Sequence, residues 1–260
     1  MEESGGFWDA IERSLARVGK AVVPLYGPRG RRVPLHGGCG VLVTIGTDLF
    51  VLTAAHVHLG LEENERGQVH AAFNGRLVPL RGRTYRSEPE SGNEDVADAA
   101  VMHLDAGVDS EHLRPGAIAF PEDGAFDDVA EHTSCVLRGY PHRDAARPKA
   151  GTLTAKYHTW AGFTEDAAKV PGLPVGSARR IAIRMPLDKL VDPGGIHVQS
   201  VRPKGCSGSG LWLLDEPEQP RLAAIFTEIR GEFFVGTSVR THLALIWKFA
   251  PEVFNPSGTT

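Results

Sequence analysis

The chain has 260 residues, 42% of them hydrophobic, enough for one larger domain or two small ones with a sizeable core. A formal net charge of -4 at pH 7 and a pI near 6.3 leave no electrostatic footprint for nucleic acid or a membrane surface. With 30 glycines and 18 prolines the chain calls for many turns and short elements, which excludes a long-helix protein.

The sequence opens with two acids and has no apolar run of signal-peptide type. No stretch approaches the length of a membrane span. Cys39, Cys135 and Cys206 are widely spaced and odd in number, unlike a disulfide framework. A soluble protein of a reducing cytoplasm is the expectation. Within residues 7–19, Phe7, Ile11, Leu15 and Val18 share one face of a short helix that either docks a partner or covers the end of a domain.

From "VVPLYG" onward the texture changes to short apolar runs broken by Gly, Pro and Asp, among them "GVLVTI", "LFVLTAA", "AAVMHL", "SCVLRGY", "RRIAIRM", "GLWLL" and "EFFVGTSV". Runs of this length between turn signals read as strands of an all-β barrel or sandwich. The acidic, glycine-containing stretch at 120–132 divides this body into two halves, with room for a site in the cleft between them. The tail "RTHLALIWKFAPEVF" reads as a terminal helix stopped near Pro251. The expected units are an N-terminal helical extension (1–20), a first β domain (21–124), a second β domain (125–240) and a C-terminal helix and tail (241–260).

Three segments carry candidate chemistry. In "FVLTAAHV" an apolar strand runs into two alanines and then His56, small residues that allow close backbone packing before the ring. In "NEDVADAAVMHLD" Asp98 precedes an apolar run, with Asp95 as its competitor; either caps a strand or orients an imidazole. In "PKGCSGSGLW" Cys206, Ser207 and Ser209 are all candidate nucleophiles on a glycine-rich turn. The amides of Gly205 and Ser207 are placed to form an oxyanion hole, worth about 3–4 kcal/mol per donor. A phosphate-cradling loop requires a following Lys-Ser/Thr and a helix, and here the strand-like Leu211–Leu214 follows instead.

Taken in the order His, Asp, Ser, these segments resemble the chymotrypsin-like (trypsin-fold) serine peptidases of intracellular bacterial type. "LTAAHV" is similar to the family's "TAAHC", "DAAVMHL" to its aspartate segment, which favours Asp98 over Asp95, and "GCSGSG" to "GDSGGP". "HGGCGVLV", "LRGYP" with "AGTLTA", "LAAIFTE" and "RTHLALIWKF" extend the resemblance over roughly residues 20 to 250.

The resemblance implies two antiparallel six-stranded barrels with the site between them. It implies Ser207 as nucleophile, His56 as general base and then acid, Asp98 as the residue orienting His56, and the Gly205 and Ser207 amides as oxyanion hole. The substrate is then a protein or peptide, cut through an acyl-enzyme. Bacterial intracellular relatives often act beside a partner protein, including in stress and antiphage systems, so a regulated protease with few substrates is expected. The alternative is a catalytically silent trypsin-fold binding module.

Three departures stand out. Cys206 occupies the position where secreted members keep an aspartate that pairs with a newly cut N-terminus. Val57 replaces the cysteine after the histidine. Ser209 and Gly210 replace Gly-Pro. The family's first specificity pocket maps onto Val201, Phe226 and Glu228. Glu228 attracts a basic P1 side chain or is simply a strand-end charge, and Phe233 or Phe234 would occlude the pocket and favour a small or apolar P1. The histidines, His58 included, show no structural-zinc spacing, and no metal or other cofactor is expected.

Overall fold

The computed structural model describes residues 13, 15–27, 35–63, 68–88, 97–120, 129–142, 144, 155–173, 179–185, 202–216 and 219–254. Residues 15–21 belong to a helix, α1. The first half then builds a sheet from β1 (Val22–Gly27), β2 (Leu35–Ile45), β3 (Asp48–Thr53), β4 (His70–Phe73), β5 (Arg76–Pro79), β6 (Gly82–Arg86) and β7 (Ala100–Leu104). Its strand order is β5-β4-β1-β2-β3-β7-β6, with the short β8 (Ile118–Ala119) pairing β2 in parallel. Helix α2 (Ala55–Glu63) leaves the end of β3, and α3 (Val108–Leu113) follows β7.

The central strands read as unbroken apolar runs because both their faces are buried. Along β3, Leu49 and Val51 enter one core with Leu25, Leu42 and Met102, while Phe50 and Leu52 enter another. Each such fully buried side chain contributes roughly 1.5–3 kcal/mol. At the sheet edge Asn74 (φ 48) and Gly75 (φ 77) join β4 to β5, the Asn-Gly pairing that a two-residue hairpin with two positive φ values selects.

The second half is a closed antiparallel barrel of six strands: β9 (Ser134–Gly139), β10 (His158–Glu165), β11 (Arg180–Arg184), β12 (Gly210–Leu213), β13 (Arg221–Arg230) and β14 (Phe233–Ser238). Its order is β10-β11-β14-β13-β12-β9, and pairing of β10 with β9 closes it. Leu137, Trp160, Ile183, Leu211, Phe226 and Phe234 fill its interior. The first half, by contrast, is a curled sheet, whose end strands β5 and β6 do not pair with each other among the described residues.

Helix α4 (Val239–Phe249) begins at Ser238, whose hydroxyl accepts the Arg240 N–H, and gives way to a short 3-10 turn from Pro251. Val239, Leu243 and Ile246 are spaced on one face and buried. They pack in a single cluster with Val41, Phe50, Leu52 and Val101 of the sheet and Trp212, Leu222 and Ile225 of the barrel. The two halves are thus joined through a shared apolar core. Helix α1 contributes Val18 and Ala21 to that same core, and the Arg138 guanidinium donates to the Leu15 carbonyl, so its described part covers the fold. Phe7 and Ile11 lie outside the described residues. No helix among the described residues is long and apolar enough to cross a membrane.

Candidate active site

His56 sits in the first turn of α2, just beyond the end of β3, and its ring is half exposed. Asp98 lies just before β7, the neighbour of β3, so the sheet brings together two residues 42 positions apart. The contact has two points. His56 Nδ1 is 2.8 Å from Asp98 Oδ2, and the His56 main-chain N–H donates to Oδ1 at 3.0 Å. A carboxylate only accepts, so Nδ1 carries a proton, and in the neutral ring the lone pair is then on Nε2. Asp98 holds this pose with φ 43, and its carbonyl accepts the Ala55 N–H. Positive φ is strained for a side chain other than Gly, Asn or Asp, and the short carboxylate suits it. Asp95 lies outside the described residues.

Residues 202–209 form the turn into β12. Gly205 (φ 94) and Gly208 (φ 90) bracket Cys206 and Ser207. A Cβ on Gly208 would stand 1.9 Å from the Cys39 carbonyl oxygen and 2.5 Å from Thr53 Oγ1, so glycine is required there by both conformation and space. The turn is tied to its surroundings by Cys206 N–H to Pro203 O (2.9 Å), Gly208 N–H to Phe226 O (2.7 Å) and Phe226 N–H to Ser209 O (2.8 Å). Cys39 of β2 donates its N–H to Ser207 O at 2.7 Å, docking the turn on the sheet. At this contact a Cβ on Gly38 would lie 2.7 Å from both Ser207 O and Val57 Cγ1. Gly38 thus lies between the Ser207 carbonyl and Val57, the residue that follows His56.

The three candidate nucleophiles separate cleanly. Cys206 and Ser209 are fully buried, whereas Ser207 is partly exposed. Burial pushes the Cys206 thiol far above its ordinary range and the Cys39 thiol up to about 11, so both stay protonated at neutral pH. All three cysteines are free. The amides of Gly205 and Ser207 have no backbone acceptor among the described residues. The Ser207 hydroxyl donates to the Thr227 carbonyl at 3.1 Å.

Thr227, on the strand that follows the serine, sits at an irregularity of the barrel. The β13–β14 register shifts between Phe226, opposite Gly236, and Glu228, opposite Val235. The bulge leaves Thr227 unpaired between them, with its hydroxyl on Val235 O and the Arg180 guanidinium on that hydroxyl. Phe226, just before the bulge, lies on the same face of the strand as Ala224. Its ring is buried in the barrel core 5.5 Å from that of Phe234, in the cluster that also holds Cys206, and its main chain bonds to Gly208 and Ser209 of the turn. Phe233 is also buried, in a small cluster with Val170 and Ala182. The Glu228 carboxylate is already partnered by Arg230 at 2.9 Å. Val201 lies outside the described residues.

Among the described residues, Glu131, His132 and Glu165 bring three potential metal ligands within 4.8 Å of one another. Lys169 already bridges both of those carboxylates, at 3.3 and 2.6 Å. The chain matches no protein-family model and no curated protein.

Proposed function

We propose that this chain is a serine endopeptidase with chymotrypsin-like double-barrel architecture, its first barrel being the curled sheet and its second the closed one. The observation that carries this reading is the two-point hold of Asp98 on His56 beside a turn that exposes Ser207 while burying Cys206 and Ser209. In the proposed reaction Ser207 Oγ attacks the substrate carbonyl and His56 Nε2 takes its proton. The Gly205 and Ser207 amides receive the developing oxyanion. His56 then returns the proton to the leaving amine, and water releases the acyl group from Ser207. The Asp98 carboxylate keeps Nε2 basic in the first step and stabilises the imidazolium that forms. Before attack the Ser207 hydroxyl must leave Thr227 O, which takes one side-chain rotation.

The substrate is a protein or peptide, and three buried, unpaired thiols suit an intracellular setting. A regulated enzyme with few substrates, held in check by a partner, remains part of the proposal.

The hydroxyl's bond to Thr227 O favours a second reading, a silent binding module in which Ser207 is never released. A fluorophosphonate probe separates the two. Covalent labelling that disappears in Ser207→Ala supports the peptidase. Absence of labelling at every pH, with the fold intact, overturns it. Mapping of new N-termini in a denatured proteome would then give the P1 preference.

A further inference from the structure

The oxyanion turn is backed by a histidine pair that the proposed triad does not use. His36 of β2 lies opposite Tyr26 of β1, with ring centroids 5.4 Å apart. Its Nδ1 is 3.0 Å from Nδ1 of His142, which follows β9, and the two rings meet edge to face at 5.0 Å. The contact therefore spans 106 residues and links the sheet to the barrel. His142 in turn packs directly on Gly205. A Cβ at position 205 would fall 2.7 Å from His142 Cγ and 2.8 Å from its main-chain nitrogen. The His142 N–H also donates to Lys204 O at 2.9 Å. The two residues before Cys206 are thus held on the side of the His142 main chain and ring.

We propose that His142 is a positioning residue for the Gly205 amide, and that His36 locks it in place across the two halves. The inference rests on the peptidase reading, since it assigns the brace to an oxyanion donor. The bond needs one imidazole that donates Nδ1–H and one neutral imidazole that accepts at Nδ1. Protonation of one ring leaves the other to accept, and only when both rings are imidazolium does the pair lose its acceptor and the bond break. The groups facing the pair among the described residues are Tyr26 on the sheet side and Lys204 on the turn side. Neither supplies a negative charge to stabilise an imidazolium at neutral pH. Burial accordingly draws His36 down to about 3, and burial with the Lys204 charge lowers His142. The brace is in place at neutral pH and is released only when the second ring is protonated, as the pH approaches the His36 value of about 3.

The test uses the full chain, with His142→Leu, His36→Leu and His142→Asn compared with wild type. Asn offers both a donor and an acceptor near the Nδ1 position but does not titrate. Two quantities are read: hydrogen exchange at the amides of Cys206 and position 142, corrected for intrinsic rate, and the rate of Ser207 labelling by a fluorophosphonate. Loss of one hydrogen bond predicts roughly tenfold faster exchange and about tenfold slower labelling in both Leu variants. In His142→Asn both values return towards wild type. Wild-type protection holds to about pH 4 and declines as the pH falls towards about 3, the His36 value, whereas in His142→Asn it does not.

Unchanged exchange in both Leu variants overturns the brace, as does an Asn variant that behaves like Leu. Failure of the wild type to label while the exchange results hold overturns the peptidase reading instead. Should His142→Leu not fold, His36→Leu carries the same exchange measurement from the other side of the bond.

Discussion

Cys39 and Ser207 share a single hydrogen bond, Cys39 N–H to Ser207 O at 2.7 Å, through which the turn carrying Ser207 docks on the first sheet. Thr53 reinforces it by donating its hydroxyl to Cys39 O at 2.7 Å. The strand end that leads to His56 and the turn that carries Ser207 are therefore held by the same residue.

Gly208 packs into this junction without a side chain. Gly208→Ala should place a methyl against Cys39 O at a φ of 90 and lower both Tm and Ser207 labelling sharply. Gly231→Ala is the matched control, because Gly231 also has positive φ (61) but has nothing within 4 Å of a Cβ. The control should lose only the backbone term, about 1–2 kcal/mol. Comparing the two by thermal melting isolates the steric contribution. Equal losses would show that the junction has room to relax.

Asp98→Asn tests the hold on His56. The amide donates where the carboxylate accepted, which favours the wrong imidazole tautomer and removes the stabilisation of the imidazolium. Labelling or peptide turnover should fall by about 10^4-fold, with the fold retained. A loss under about tenfold would mean that Asp98 only caps the strand.

The buried thiols predict chemical silence. At pH 8 the native protein should leave all three cysteines unmodified by a disulfide reagent, and denaturant should expose all three. Cys206→Ala should still label at Ser207. A fast-reacting thiol in the native protein would reopen the assignment of the nucleophile.

His242 of α4 is fully buried, with Nε2 3.0 Å from Thr53 O. His242→Phe leaves that carbonyl without its donor and should cost about 1–3 kcal/mol by denaturant melting. Burial lowers the His242 pKa, as it does that of His36. For such a group the unfolded chain binds more protons than the native protein below the ordinary histidine pKa of about 6.5. Stability should therefore be full above that pH and fall as the pH drops from there towards about 3, the His36 value. The slope is at most about 1.4 kcal/mol per pH unit for each histidine. His36→Leu should flatten it, and a profile with no slope in this window would contradict the neutral assignment.

Much of this was legible in the linear chain. The strand runs from "VVPLYG" to "EFFVGTSV" are strands because an apolar run of that length has to be buried and pairs its backbone in doing so. The small residues before His56, the carboxylate at Asp98 and the glycines around Ser207 stood out because each is a local requirement of a turn or a strand end. Residues 7–19 were read as helical, and the described part of that segment is.

What the chain alone determined was therefore the β architecture, the helical ends and the three segments from which the candidate site is drawn. Tertiary structure decided which of Cys206, Ser207 and Ser209 faces outward, since exposure depends on what packs against the turn. It also decided that Phe226 is buried in the barrel core, on the same face of β13 as Ala224. It paired His36 with His142 and His242 with Thr53, contacts 106 and 189 residues apart. Such pairs form only when a shared apolar core closes the sheet and the barrel on one another, and that closure is a property of the whole chain.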